Sequence, residues 1–271
     1  MKLETQCLHA GYSPESTTNS CAVPLYKTSS FVFNNTEHAA NLFGLRELGN
    51  IYTRLMNPTT DVLEQRVAAM EGGAAGLGIA SGTSAVFYSI INIAQEGDEI
   101  ISANNLYGGT YTQFNDILPK FGIKVKFVDP NDPANFAAAI TDKTKAIFCE
   151  SVSNPGLDVA DIKGIANVAD DHGIPLIVDS TFSTPYLTNP IEHGASIVIH
   201  SLTKWMGGHG NGIGGVVVDS GTFNWKNGNF PLYDEPDNSY HGLRWGHDLP
   251  EPLAPLAFIL RMRTVPLRNL G

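Results

Sequence analysis

Seven short apolar runs, separated by stretches long enough for helices, constrain this chain most. They are "AAGLGIAS", "DEIISA", "IKVKFVD", "TKAIFCES", "IPLIVDS", "ASIVIHS" and "GGVVVDSG", spread over residues 74–221. None alternates strictly between apolar and polar positions, so none reads as a strand with one wet face. Strands buried on both sides and separated by helices pack as a mostly parallel central sheet with helices on both faces. The expected fold class is α/β, with an N-terminal arm ahead of the sheet. In such sheets a ligand sits beyond the carboxyl ends of the strands.

The chemistry-bearing residues fall at those ends. Ser81-Gly82 follows the first run and Tyr107 the second, Asn154 follows the fourth, Asp179 closes the fifth, and Ser201 to Lys204 follow the sixth. Five strand ends would converge on one crevice. Before the sheet, "MNPTTDVLEQRVAAMEGG" predicts a helix, started by N-P-T-T and stopped by Gly72-Gly73, with Val62, Leu63, Val67 and Met70 on one face. Residues 1–55 show no sustained periodicity. Residues 221–255 are rich in Gly, Pro, Asn and Asp and read as a long irregular excursion. The final "LAPLAFILRMRTVPLRNLG" begins a helical pattern that carries Arg261, Arg263 and Arg268.

Composition narrows the partners. Asp and Glu number 27 against 17 Lys and Arg, a net charge of −10 with no basic block, which argues against nucleic acid and anionic membrane surfaces. Cys7, Cys21 and Cys149 are odd in number and widely spaced, which suits a reducing compartment. The N-terminus lacks an apolar signal core, and the longest apolar run, around "AVFYSIINIA", is too short to cross a bilayer. The expectation is a soluble, cytoplasmic chain. His193, His200 and His209 lack metal-ligand spacing, so no metal is expected. "GNGIGG" at 210–215 has the glycines of a dinucleotide loop, but a strand follows it where a helix should open.

Lys204 is the sharpest feature. A lysine after a buried strand, flanked by hydroxyls and glycines, suits a Schiff-base amine if solvent is restricted around it. Ser201 and Thr203 can hydrogen-bond a phosphate. "SGTSA" opens a helix at Gly82-Thr83, whose free N–H groups form a second anion cradle. Asp179, at a neighbouring strand end, could keep a pyridine nitrogen protonated. Lysine, phosphate cradle and carboxylate together describe a pyridoxal 5'-phosphate site. Blander readings stand beside these. Tyr52 and Arg54 could be a surface pair, Tyr107 a core residue, Asn154 a turn residue before Pro155 and Asp179 a helix cap. Glu150, Cys149 and His209 read as structural.

"YTRLMNPT", "SGTSA", "LYGGTY", "SNP", "VDSTFSTPY" and "HSLTKWMGGHG" stand in the order of the blocks of the Cys/Met-metabolism family of pyridoxal-phosphate enzymes, which the chain resembles over nearly its whole length. "LHAGY", "EHAANLF", "LYGGTYTQF" and "EPDNSYHGL" look most like its O-acetylhomoserine sulfhydrylase branch. The resemblance implies the large domain of a fold-type I transferase. Residues 1–57 would be an arm reaching the neighbouring subunit, 58–252 the cofactor domain, and 253–271 the start of a truncated C-terminal domain. Lys204 would carry the cofactor and move substrate protons, and Asp179 would pair with the pyridinium. Gly82, Thr83, Ser201 and Thr203 would hold the phosphate, Tyr107 would stack on the ring and help with acid–base catalysis, and Asn154 would contact the ring's phenolic oxygen. Thr83 stands where the family often has Met or Gln, which matters little if the backbone N–H does the binding. Tyr52 and Arg54 would reach the cofactor phosphate of a neighbouring subunit, implying a homodimer pair and a homotetramer. The implied activity is γ-replacement on O-acetylhomoserine by sulfide or methanethiol. Cystathionine γ-synthase or methionine γ-lyase activity, or an inactive cofactor-binding fragment, are the alternatives.

Overall fold

The computed structural model describes residues 1–268; positions 269–271, the end of the expected segment 253–271, lie outside the described residues. All seven apolar runs form strands: β1 Ala75–Ile79, β2 Glu99–Ala103, β3 Lys124–Val128, β4 Thr144–Glu150, β5 Leu176–Asp179, β6 Ile197–Ser201 and β7 Gly215–Asp219. They make one sheet in the order β1-β7-β6-β5-β4-β2-β3. β2 to β6 pair in parallel, and β7 lies antiparallel between β6 and β1. β1 therefore runs with the parallel set, and six strands present their carboxyl ends at one edge. β7 is reversed because the chain returns from β6 without a helical crossover, which a parallel neighbour requires. Its first residue, Gly215, pairs with both Ser201 and Ile79 and so lies at that same edge.

Every residue of β2, β4 and β7 is buried, so side chains directed to either face are covered. The helices are α1 Leu3–His9, α2 Thr36–Phe43, α3 Pro58–Glu71, α4 Gly82–Ile91, α5 Gly108–Thr112, α6 Pro133–Ala139, α7 Ile162–Asp171, α8 Thr184–Leu187, α9 Pro231–Asp234 and α10 Ala257–Thr264, and five of them cover the sheet. α3 packs on β1 and β7, α4 on β6 and β7, α6 on β2 and β3, α7 on β4 and β5, and α10 on β1 and β7. Edge strand β3 keeps Lys124 exposed, which discourages pairing with another sheet.

Four expectations change. In α3 the inward face is Val62, Glu64, Val67, Ala68 and Glu71, while Leu63 is 39% exposed. Two carboxylates displace the apolar pattern because each has hydrogen-bond partners where it is buried. Glu64 meets Arg263 Nη2 at 2.5 Å and the Gly78 N–H at 2.8 Å, and Glu71 meets His200 Nε2 at 2.5 Å. The arm is not irregular throughout: it holds α1 and α2, each too short to write a period into the sequence. Asn35 caps α2 by accepting from the His38 N–H at 2.8 Å. Residues 221–255 are no excursion, because Trp225, Phe230, Tyr233 and Trp245 are core residues. Trp225 stacks on Tyr233 at 4.5 Å and on Phe258 at 5.3 Å. Finally, Arg268 lies beyond α10, which ends at Thr264 shortly before Pro266. Among the described residues, no helix is long and apolar enough to cross a membrane.

Candidate active site

A cavity of about 220 Å³ opens at the carboxyl edge of the sheet, where β1, β2, β4, β5 and β6 end. One end is built for an anion. Ser81 caps α4, its Oγ accepting from the Ser84 N–H at 3.1 Å and its carbonyl from the Ala85 N–H at 3.0 Å. The first-turn N–H groups of Gly82 and Thr83 have no acceptor among the described residues, and the helix dipole adds to their pull on negative charge. A Cβ on Gly82 would stand 2.5 Å from Ser201 Cβ, so only glycine lets α4 approach the end of β6 this closely. Thr203 Oγ1 bonds the carbonyl and the N–H of Gly214, both at 3.2 Å, closing the loop between β6 and β7.

The other end holds carboxyl groups. Asp179 Oδ1 accepts from Thr181 twice, from the N–H at 3.0 Å and from Oγ1 at 2.6 Å. Burial raises the Asp179 pKa, and the two Thr181 bonds and the nearby His200 pull it back. Thr181 Oγ1 also accepts from the Ser201 N–H at 2.8 Å, tying β5 to β6. Glu150 lines the same cavity. Its Oε1 accepts from the Tyr107 N–H at 2.7 Å and its Oε2 from the Asn154 N–H at 3.1 Å. Burial, and then the charge of Asp179, push Glu150 up to about 8.

Sequence reasoning set Glu150 aside as structural and passed over Thr181. Thr181 carried a signal, since Asp-x-Thr is the pattern of a turn in which the carboxylate accepts from the N–H two residues on. Glu150 carried none, because strand register decides its neighbours. Cys149, directed away from this chemistry, is fully buried, and burial beside Glu150 and Asp179 raises its thiol to about 12.

Gly82, Thr83, Tyr107 and Asn154 all line the cavity, as do Asp179, Ser201, Thr203 and Lys204. Lys204 differs from expectation, and Tyr107 departs from the blander core reading. Lys204 is exposed, because β6 ends at Ser201 and the lysine stands in the turn beyond it, so this single chain does not supply the expected seclusion from solvent. Tyr107 is 47% exposed, its ring lying over Gly109, where a Cβ would come within 2.5 Å of Cε1. Tyr52 and Arg54 are absent from this lining; they meet each other on the arm, the guanidinium 5.9 Å from the ring centroid. Among the described residues no group of three or more His, Cys, Asp or Glu could hold a metal ion.

Residues 4–236 match the family described as Cys/Met metabolism PLP-dependent enzymes. This chain belongs to that family. It is 55% identical to O-acetyl-L-homoserine sulfhydrylase of Leptospira meyeri, with 100% of this chain and 62% of the relative covered. It is 50% identical to homocysteine synthase of Schizosaccharomyces pombe, covering 99% and 62%. Among solved structures it is similar to a Campylobacter jejuni protein assigned as O-acetylhomoserine (thiol)-lyase and carrying a pyridoxyl-lysine monophosphate. The TM-score is 0.87 at 39% identity, over 97% of this chain and 68% of that one. The chain thus spans about 62% of the length of the curated relatives it matches. Members of the Cys/Met metabolism family depend on pyridoxal phosphate, and the cavity fits that cofactor. The Gly82–Thr83 donors suit a phosphate dianion, the Asp179 carboxylate suits a protonated ring nitrogen, and Lys204 supplies an amine at the mouth.

Proposed function

We propose that this chain binds pyridoxal phosphate in the cavity and is part of an enzyme performing γ-replacement on O-acetylhomoserine. Sulfide enters and acetate leaves, giving homocysteine; methanethiol in place of sulfide gives methionine. One observation carries this reading. Lys204, Asp179 and the free Gly82–Thr83 donors meet in a single cavity, in a chain 55% identical to an O-acetylhomoserine sulfhydrylase.

When bound, the cofactor supplies an electron sink for negative charge developing on the substrate carbons. The chain's own residues do the rest. The N–H groups of Gly82 and Thr83, at the positive end of α4, hold the phosphate, with the hydroxyls of Ser201 and Thr203 beside them. Asp179, fixed by Thr181, keeps the ring nitrogen protonated. Tyr107 offers a stacking face and Asn154 a contact for the phenolic oxygen. Lys204 carries the cofactor and then moves protons at the substrate's α- and β-carbons.

Tyr52 and Arg54 serve a neighbouring chain's site in this reading, so the active unit is at least a homodimer, assembled into a homotetramer. Their place on the arm, outside the cavity of their own chain, supports it. Three free cysteines support a cytoplasmic location. The division into arm 1–57, cofactor domain 58–252 and segment 253–271 belongs to the same proposal.

The test supplies pyridoxal phosphate, O-acetylhomoserine and sulfide to this chain and to a form extended with a relative's C-terminal segment. Homocysteine and acetate in equal amounts from the extended form are expected. A 2-oxo acid and ammonia would assign γ-elimination instead. Failure of both forms to bind pyridoxal phosphate would overturn the reading.

A further inference from the structure

The loops that bring Tyr107 and Asn154 to the cavity leave different strands, β2 and β4. One carboxyl group joins them. Glu150, the last residue of β4 and 7% exposed, accepts the Tyr107 N–H on one oxygen and the Asn154 N–H on the other. We propose that Glu150 is a positioning residue: it clamps the two loops so that Tyr107 and Asn154 face the cavity at a fixed separation. The inference deepens the pyridoxal-phosphate reading of this cavity and rests on it.

The choice of side chain supports the clamp. A carboxyl group offers an acceptor oxygen to each N–H in one plane, because even its protonated form keeps lone pairs on the hydroxyl oxygen. Glutamine at position 150 would set its amide NH₂ against one of the two backbone N–H groups, a donor facing a donor. Aspartate would fall one methylene short of spanning both loops. An apolar residue would leave both N–H groups unpaired in a part-buried place, the arrangement proteins avoid most consistently. The site keeps a glutamate although it lies buried beside a second carboxylate, Asp179. Filling space would not require that.

The experiment measures pyridoxal phosphate binding to the 271-residue chain by cofactor fluorescence and visible circular dichroism. Glu150→Gln is expected to weaken binding about tenfold and to reduce the cofactor's dichroic band, with far-ultraviolet dichroism unchanged. Asn154→Ala is expected to weaken binding in the wild-type background but to add less than twofold in Glu150→Gln, because the clamp acts through Asn154. Additive effects, or a Glu150→Gln constant within twofold of wild type, would overturn the clamp. A second measurement needs neither variant nor cofactor. In wild type, the amide hydrogens of Tyr107 and Asn154 should exchange at least tenfold more slowly than those of Asn105 and Gly156. Equal exchange would overturn the clamp even if the variant failed to fold. A wild-type chain that takes up no cofactor would sink the proposed function and leave the exchange measurement to decide the clamp.

Discussion

Glu150 and Asp179 stand opposite each other in the β4–β5 ladder, as paired positions of adjacent parallel strands. Paired positions direct their side chains to the same face, and here both reach the cavity floor. Two carboxyl groups this close in a place poor in water resist carrying two charges. Burial raises both: at Asp179 two Thr181 bonds and His200 pull against it, whereas at Glu150 the charge of Asp179 adds to it. Of the two, Glu150 is the one pushed up to about 8.

This pair makes folding stability depend on pH. Unfolded, a glutamate releases its proton near 4.5; folded, Glu150 holds it up to about 8. Between those values the folded state binds more protons, so stability is highest below pH 4.5 as far as Glu150 is concerned. It falls as pH rises through about 8, by at most about 1.4 kcal/mol per pH unit. Asp219, fully buried and pushed up to about 7, acts in the same direction. Thermal melts from pH 5 to 8 should show a declining midpoint, and Glu150→Gln should decline less steeply. Parallel slopes would contradict the Glu150 assignment.

Gly82→Ala tests the contact between α4 and β6. Alanine normally favours a helix, but here its Cβ would lie 2.5 Å from Ser201 Cβ. The net result should be a loss of about 1–3 kcal/mol in urea unfolding, with weaker phosphate binding. Gly212 has open space around it, and Gly212→Ala should change stability by less than about 0.5 kcal/mol.

Borohydride reduction in the presence of pyridoxal phosphate, followed by peptide mapping, should label Lys204. Lys145 is occupied, donating to the Asn229 carbonyl at 2.6 Å with Asp98 3.7 Å away, and should stay unlabelled. A label on Lys145 or Lys226 in place of Lys204 would overturn the assignment, and Lys204→Ala should abolish the main labelled peptide.

If Tyr52 and Arg54 serve a neighbour, each site needs Lys204 from one chain and Arg54 from the other. Arg54→Ala and Lys204→Ala should each inactivate the extended form. Mixed under dissociating conditions, the two should recover roughly a quarter of wild-type activity, since half of random dimers carry one intact site. No recovery, with mixed oligomers confirmed by mass, would mean that each site is built within one chain.

The sheet was legible because burial on both faces writes a mostly apolar run into the strands, edge strand β3 with its two lysines excepted, and the site because its residues follow those runs directly. What stayed hidden depends on pairing across the chain. Leu63 faces outward because Glu64 and Glu71 found partners in Arg263 and His200, far along the sequence. Trp225 joins the core from a stretch whose glycines and prolines read as loop, because its ring stacks between Tyr233 and Phe258. Glu150 gained its place only once β4 and β5 were aligned. The exposure of Lys204 depends on where β6 stops, and strand ends are the least certain part of any sequence reading.

Thr181 sets a length. Its hydroxyl oxygen receives the Ser201 N–H while its proton goes to Asp179, so one atom joins the acidic end of the cavity to the anion-binding end. The two ends cannot drift apart independently, and the cavity behaves as a gauge with both jaws on one beam. A ligand is measured from its cationic end to its anionic end in a single act. A molecule bearing the right groups at the wrong spacing satisfies one jaw and forfeits the other. Thr181→Ser keeps the beam, whereas Thr181→Val cuts it without changing the size of the side chain.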